Sequence, residues 1–225
     1  MTTTTARPAR AATEAPSSRR GPTPTADAGA GTTSAVGARP GTTREVRSVR
    51  LDDPLVRPLL DELATEYATR YAEHFGIDAL RAEMARYPAH EFAAPDGDLV
   101  LVLEDGVPVA GGAFRRRIEP ELGDPALLAR TDARTGDGTP AVATAELKRI
   151  WTASTHRRRG LARVVLAELE ERAARAGYVR VYLTTGPRQP EAAGLYLHTG
   201  YTPLFDPAVQ PSGPLPFEKW LGETS

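Results

Sequence analysis

The sequence predicts an α/β protein, a mixed sheet with helices on both faces, and three observations support this class. An alternating segment over residues 146–152 is followed by an amphipathic helix pattern over residues 160–176. The dipeptide Asp105-Gly106 separates two further apolar runs, as in a hairpin. Strand and helix patterns then continue to residue 220, so the predicted order is β-α-α-β-β-β-α-β-α-β-β.

Composition predicts one globular domain and excludes several kinds of chemistry. Of the 225 residues, 40% are hydrophobic and 25% are charged, which suffices for one substantial core. A net charge of −1 gives no electrostatic reason to expect a nucleic acid or a membrane as partner. The chain has no cysteine, which excludes disulfides and thiol nucleophiles, and its four histidines show no ligand spacing, so we expect no metal site.

The first 43 residues differ in composition from the rest. They consist mainly of Thr, Ala, Pro, Gly, Ser and Arg, with almost no large apolar side chain, so we predict a disordered tail at 1–43 and a folded domain at 44–225. The tail has no apolar run typical of a secretory signal, although its Arg and Thr/Ser content also resembles a transit peptide. No stretch has the apolar length of a membrane span, and we expect a soluble, cytoplasmic protein.

The folded part begins with a strand and two helices. Residues 45–51 alternate as a strand, and Asp52-Asp53-Pro54 supplies helix-capping residues. Apolar residues recur at helical spacing from there up to Gly76, and a second helix is predicted to contain Met84 and Tyr87.

The middle and the end of the chain supply the other strands. Residues 99–104 and 107–116 form the predicted hairpin, and the polar segment 119–140 is either a surface loop or a lid over a substrate. A strand is predicted at 179–184 and a helix from Pro190 to Gly200. Residues 201–205 and 215–220 supply the last two strands.

The junction between the strand at 146–152 and the helix at 160–176 has the properties of an anion site. A helix N-terminus has unpaired N–H groups and a partial positive charge, which favour a phosphate. Gly160 and Ala162 are small enough to let a pyrophosphate approach the main chain, and Arg157 to Arg159 can add charge-assisted hydrogen bonds. The alternative is that these arginines form a solvated turn.

Two motifs in this region resemble those of the GCN5-related N-acetyltransferase (GNAT) superfamily. The run Arg157-x-x-Gly160-x-Ala162 resembles its R/Q-x-x-G-x-G/A signature. Residues 189–201 resemble its N-x-x-A-x-x-L-Y-x-x-x-G-F helix, with Gln189 in place of Asn and Tyr201 in place of Phe. The resemblance covers roughly residues 44–221.

The resemblance implies a fold and an activity. The fold is the acyl-CoA N-acyltransferase fold, a mostly antiparallel twisted sheet whose two central strands splay to admit the pantetheine arm. The activity is transfer of an acetyl group from acetyl-CoA, the co-substrate, to an amine acceptor that is a small molecule or a peptide. Nucleic acid and membrane are not expected as partners, and a homodimer is left open.

The resemblance also implies roles for particular residues. Glu146 occupies the position of a general base, with an ion pair to Lys148 as the alternative, because the strand period places both on one face. Tyr196 matches the tyrosine that protonates, or hydrogen-bonds to, the coenzyme A sulfur, with a helical aromatic packed in the core as the alternative. The residues expected to bind the cofactor are Ile150, Trp151, Thr152, Arg157, Arg158, Arg159, Gly160, Leu161, Ala162, Gln189 and Ala192.

A second class of function is a non-catalytic acyl-CoA-binding module that acts as a sensor or partner domain. Glu146 and Tyr196 favour the enzyme, since a binding module needs neither residue. A nucleic-acid-binding protein is disfavoured, because the arginine triplet at 157–159 is isolated in a chain that is not basic.

Overall fold

An open sheet forms the centre of the computed structural model, which describes residues 34–35, 41–71, 87–119, 142–209 and 213–222. Its strands in these ranges are β1 (Ser34–Ala35), β2 (Arg44–Ser48), β3 (Asp98–Glu104), β4 (Val107–Arg116), β5 (Thr144–Thr152), β6 (Arg180–Thr185), β7 (Thr202–Pro203) and β8 (Leu215–Trp220). They lie in the order β1-β2-β3-β4-β5-β6-β8-β7. Among the strands that the structure describes, only β5 and β6 pair in parallel, so the predicted mixed, mostly antiparallel sheet is confirmed.

Helices cover both faces of this sheet. The described helices are α1 (Arg57–Tyr71), α2 (Leu161–Arg175) and α3 (Pro190–His198). Alternate residues of β3 face opposite sides. Leu99 and Leu101 pack in one buried cluster with Leu59 of α1, whereas Val100 packs in another with Val165 of α2. The two helices therefore lie on opposite faces, as the sequence predicts.

The turns follow from the sequence at two places. Asp105 and Gly106 both have positive φ angles, of 50° and 81°, which is the conformation required by the tight hairpin that joins β3 to β4. Gly177, with a φ of 88°, ends α2 after Arg175, and the N–H of Tyr178 donates to Ala173 O. The central strand, turn and helix are thus confirmed.

Two boundaries differ from the prediction. The first strand ends at Ser48, because the chain turns at Asp53, which caps a short 3-10 turn before α1 by accepting from Leu55 N over 2.8 Å. The strand predicted over residues 201–205 is reduced to Thr202–Pro203, since proline has no N–H for the ladder.

Some predictions lie mainly outside the described residues. These are the second helix around Met84, the insertion over 119–140 and most of the tail. Within the tail, Ser34–Ala35 pairs with β2, and the tail boundary stays a prediction. None of the helices in the described ranges combines the length and the apolar character needed to cross a bilayer.

Candidate active site

The two central strands separate partway along their length. The parallel pairing of β5 with β6 covers only Thr144–Glu146 against Arg180–Tyr182, while β6 stays paired with β8 up to Thr185. A cleft of about 610 Å³ borders the separated end of β5, and residues of α1, α2 and α3 form its other walls. The expected splay is therefore present, and it leaves one edge of β5 available to a ligand.

β5 contains a bulge next to the point where it separates from β6, and the sequence patterns did not predict this bulge. Gly111 pairs with Trp151 and Ala113 with Lys148, so two residues of β5 stand opposite one residue of β4. Arg149 in the bulge has a φ of 58°. A Cβ at Gly112 would lie 2.7 Å from Ile150 Cδ1 and 3.0 Å from Val165 Cγ1, so a larger residue there would displace the Ile150 side chain. Gly111 and Gly112, two adjacent glycines inside a predicted strand, are the sequence feature that could have indicated this bulge.

The anion site predicted at the start of α2 forms one end of the cleft. Gly160 caps α2 with a left-handed φ of 76°, and a Cβ at this position would meet no atom within 4 Å. Arg157 and Arg158 line the cleft beside it, together with Ala162 in the first helical turn. This end of the cleft therefore combines open space, a helix N-terminus and two guanidinium groups.

The structure brings most of the predicted cofactor residues together. The cleft is lined by Ile150, Trp151, Thr152, Arg157, Arg158, Gly160, Leu161, Ala162, Gln189 and Ala192, and also by Tyr196. Arg159 is not among the lining residues, because its Nη2 donates to both carboxylate oxygens of Glu104, each over 2.9 Å. Glu104 is buried and draws Arg159 into an ion-pair network with Arg44.

The wall along β5 suits a ligand that carries amide groups. Thr152 Oγ1 is buried and has no hydrogen-bond partner within the described residues. The Trp151 side chain packs on the α1 face, where its Nε1 donates to Glu62 Oε2 over 2.9 Å. Ser154 N donates to the same oxygen over 3.1 Å. Glu62 thus ties the end of β5 to α1, and the cleft can hold a long ligand with phosphates at one end and amides beside β5.

Acidic residues also border the cleft. Arg157 Nη2 donates to Glu66 Oε2 over 2.6 Å, and Arg70 Nη2 lies 3.0 Å from Glu66 Oε1. Arg70 also pairs with Glu191 of α3. These ion pairs connect α1 with the arginine turn and with α3, so Glu66 competes with a phosphate for Arg157.

A second cavity of about 220 Å³ shares a wall with the cleft. Its lining residues are Leu63, Tyr67, Tyr87, Leu147, Lys148, Arg149, Ile150, Thr184, Thr185, Gln189, Ala192 and Tyr196. The residues common to both spaces include Ile150, Gln189 and Tyr196. Gln189 Oε1 accepts from Gly186 N and from Thr185 Oγ1, each over 3.0 Å, and so fixes the loop between β6 and α3.

Tyr196 lies where the two spaces meet. Its side chain is only 6% exposed, and its ring packs against Tyr201 and Phe217, with centroids 5.6 and 5.5 Å away. Burial, with a smaller contribution from Tyr67, raises the pKa of the Tyr196 hydroxyl well above the usual value for tyrosine. The phenol therefore stays protonated at physiological pH and can donate a hydrogen bond or a proton.

Glu146 is placed differently from Tyr196. It is 3% exposed and lines neither space in the described part of the chain. Its oxygens lie 2.6 Å from Arg115 Nη2, 3.1 Å from Arg117 Nη1 and 2.9 Å from Lys148 Nζ. The ion pair with Lys148, the alternative to a base, is thus present, and the base role stays a prediction. No group of three His, Asp or Glu residues within the described ranges could hold a metal ion.

Comparison with known proteins identifies the family. The model of the Acetyltransferase (GNAT) family matches residues 59–201, which is more than half of the chain. The chain therefore belongs to the GNAT acetyltransferase family, and the resemblance seen in its motifs is confirmed. A search of curated proteins found no match.

Solved structures share the fold at low sequence identity. The GNAT domain of S. lividans PAT is 21% identical, with a TM-score of 0.54 over 84% of this chain and 97% of that one. An acetyltransferase from Streptococcus agalactiae is 15% identical, with a TM-score of 0.52 over 79% and 98%. PaiA N-acetyltransferase from Thermoplasma acidophilum, in complex with coenzyme A, is 12% identical, with a TM-score of 0.52 over 79% and 99%. The acyl-CoA N-acyltransferase fold is confirmed.

Proposed function

We propose that this protein transfers an acetyl group from acetyl-CoA to a primary amine of a small molecule or a peptide. One observation carries the proposal: a buried, protonated tyrosine, Tyr196, stands in the wall shared by the long cleft and the second cavity. A donor that approaches through the cleft and an acceptor that approaches through the cavity would meet beside its hydroxyl.

The cleft fits coenzyme A in its chemistry. Arg157, Arg158 and the first turn of α2 would hold the pyrophosphate, once Arg157 leaves Glu66. The main chain of residues 150–152 and the Thr152 hydroxyl would pair with the pantetheine amides. The structure of PaiA N-acetyltransferase with coenzyme A supports this ligand through the shared fold.

The reaction then needs one proton donor from the protein. A neutral amine attacks the thioester carbonyl, the C–N bond forms, and the C–S bond breaks to release a thiolate. Tyr196 donates its hydroxyl proton to that thiolate and regains a proton from solvent, while the nitrogen of the tetrahedral adduct loses its proton to solvent as the amide forms. The products are the acetylated amine and coenzyme A in its thiol form.

Glu146 has a structural role in this proposal. Three cations surround its two oxygens, and within the described ranges it lines neither the cleft nor the second cavity. We therefore propose that Glu146 positions the cations around the second cavity and that the amine loses its proton to water. The expectations of a cytoplasmic location and of a homodimer stay predictions.

The decisive experiment measures coenzyme A release across a panel of amines, alongside acetyl-CoA binding. Amine-dependent release that falls in Tyr196→Phe supports the enzyme. Tight acetyl-CoA binding without release for any amine would instead support the non-catalytic acyl-CoA-binding module.

A further inference from the structure

We infer that the acceptor carries an anionic group, a carboxylate or a phosphate, close to the amine that is acetylated. This inference rests on the proposed acetyl transfer and names the class of its acceptor. It comes from the charges and donors that line the second cavity.

The wall of the second cavity is cationic and rich in hydroxyl groups. Lys148 and Arg149 both line it, and no carboxylate belongs to the lining within the described ranges. The hydroxyl-bearing residues that line it are Tyr67, Tyr87, Thr184, Thr185 and Tyr196. Ammonium, guanidinium and hydroxyl groups are all hydrogen-bond donors, which suits an anionic ligand.

The bulge in β5 places both cations in this wall. In a regular strand, neighbouring side chains point to opposite faces, so Lys148 and Arg149 would not line one cavity. The left-handed conformation of Arg149, with a φ of 58°, breaks that alternation. Its guanidinium carbon lies 4.4 Å from the ring centroid of Phe92, which fixes its direction.

The layer behind the wall pairs its cations with carboxylates. Lys148 Nζ lies 5.0 Å from the ring centroid of Tyr87 and shares the Glu146 carboxylate with Arg115 and Arg117. Arg115 also pairs with Glu91 and Glu119, so carboxylates balance the cations of this layer, and the charges that reach the cavity itself are those of Lys148 and Arg149. Such a wall repels a polycationic amine and attracts an acceptor with a negative charge.

The same charges assist the reaction without a base. Cations close to a bound ammonium favour loss of its proton, because like charges raise the energy of the protonated form. An anionic group on the acceptor would hold it in the cavity while the amine becomes neutral and nucleophilic. This explains how transfer can proceed although Glu146 is enclosed by cations.

The test compares amines that differ in charge. For each amine, kcat/KM is measured at saturating acetyl-CoA and calculated from the concentration of its unprotonated form. One arm pairs a set of L-amino acids with their amides, and the other pairs O-phosphoethanolamine with ethanolamine. Spermidine represents the polycations. We expect an anionic member to exceed its neutral partner by about tenfold or more, which is the effect of one charge-assisted contact. If the amino acids show this preference the anionic group is a carboxylate, and if O-phosphoethanolamine shows it the group is a phosphate.

Variants of Lys148 and Arg149 test whether the cavity wall causes the preference for anionic amines. Arg149→Gln and Lys148→Gln should each lower the ratio of anionic to neutral kcat/KM by about fivefold or more, whereas Arg149→Lys should keep most of it. Arg116→Gln removes an exposed cation from the same sheet, outside both spaces, and should leave the ratio unchanged.

The experiment distinguishes failure of this inference from failure of the proposed acetyl transfer. Turnover that favours the neutral amines or spermidine, or a ratio that neither Arg149→Gln nor Lys148→Gln changes, would overturn the inference alone. Acetyl-CoA binding without turnover of any amine would overturn the proposed transfer, and the inference with it.

Discussion

The ammonium group of Lys148 lies 2.9 Å from Glu146 Oε1, and the same carboxylate pairs with Arg115 and Arg117. Glu146 and both arginines are almost completely buried. Removing one member of a buried ion-pair network leaves its partners charged and desolvated, which costs much more than breaking a surface pair. The stability of the fold therefore depends on the charge of Glu146.

Glu146→Gln should destabilise the domain by about 3 to 5 kcal/mol, because Arg115, Arg117 and Lys148 lose their common counter-charge. For a domain of this size, the melting temperature should fall by on the order of 10 °C. Glu171→Gln is the matched control, since Glu171 pairs with Arg175 on the surface of α2 and should cost less than about 1 kcal/mol. Unchanged stability in Glu146→Gln, with a large fall in kcat, would instead support the base role.

Ala162→Val should block cofactor binding while the fold stays intact. Ala162 lines the cleft in the first turn of α2, and the branched side chain would occupy the space beside the phosphate end. The helix itself loses less than about 1 kcal/mol. Gly160 is the poorer site for this test, since its φ of 76° makes valine strained in any case.

Ala167→Val on the exposed face of the same helix is the control for Ala162→Val. Isothermal titration with acetyl-CoA should show binding close to that of the parent protein for Ala167→Val and a loss of at least tenfold for Ala162→Val. Equal affinity of the two variants would place the phosphate site elsewhere.

Glu66→Gln should strengthen acetyl-CoA binding. Arg157 donates to Glu66 over 2.6 Å, and this ion pair competes with a phosphate. An exposed pair of this kind is worth up to about 1 kcal/mol, so the dissociation constant should fall by about two- to fivefold. Asp61→Asn removes an exposed charge from the same helix outside the cleft and should have no effect. Weaker binding by Glu66→Gln would show that Glu66 positions Arg157 for the cofactor.

Local patterns predicted most of the fold. Asp105-Gly106, Gly160 and Gly177 each stand where the backbone adopts a positive φ, and the apolar stripe of α2 faces the core. Long strands bounded by such turns are recognisable because their periodicity and turn chemistry agree. The length of the strand predicted over residues 201–205 was overestimated. The observed strand, Thr202–Pro203, pairs with β8, which lies further along the chain.

The site was predicted less completely than the fold. The glycine cap, the arginine turn and Tyr196 follow from local motifs. Arg159 lies outside the lining of the cleft because it pairs with Glu104, 55 residues earlier, and no local pattern shows that pairing; its part in cofactor binding stays a prediction. The bulge at Arg149 lies opposite Gly112, and Leu59 of α1 and Val165 of α2 pack against Gly111 and Gly112, which are tertiary contacts that no local pattern shows.

The raised pKa of Tyr196 predicts a loss of stability at high pH. The native state keeps the phenol proton at pH values where the unfolded chain, with a tyrosine pKa of about 10, releases it. The free energy of unfolding should therefore fall as pH rises above about 10, by about 1.4 kcal/mol per pH unit from this group. Urea unfolding at pH 9 and pH 11 should show a smaller fall for Tyr196→Phe. Parallel pH dependence in the two proteins would contradict the raised pKa.

The most direct measurement of the proposed transfer is kcat of Tyr196→Phe at saturating acetyl-CoA and amine, with the chemical step shown to be rate-limiting. Phenylalanine keeps the ring packing against Tyr201 and Phe217, so the fold and acetyl-CoA affinity should change little. It removes the hydroxyl that stands between the cleft and the second cavity. We predict a fall in kcat of about 10²- to 10⁴-fold, typical of lost general acid catalysis. A kcat within about twofold of the parent protein would contradict the role of Tyr196 as the proton donor to the leaving thiolate.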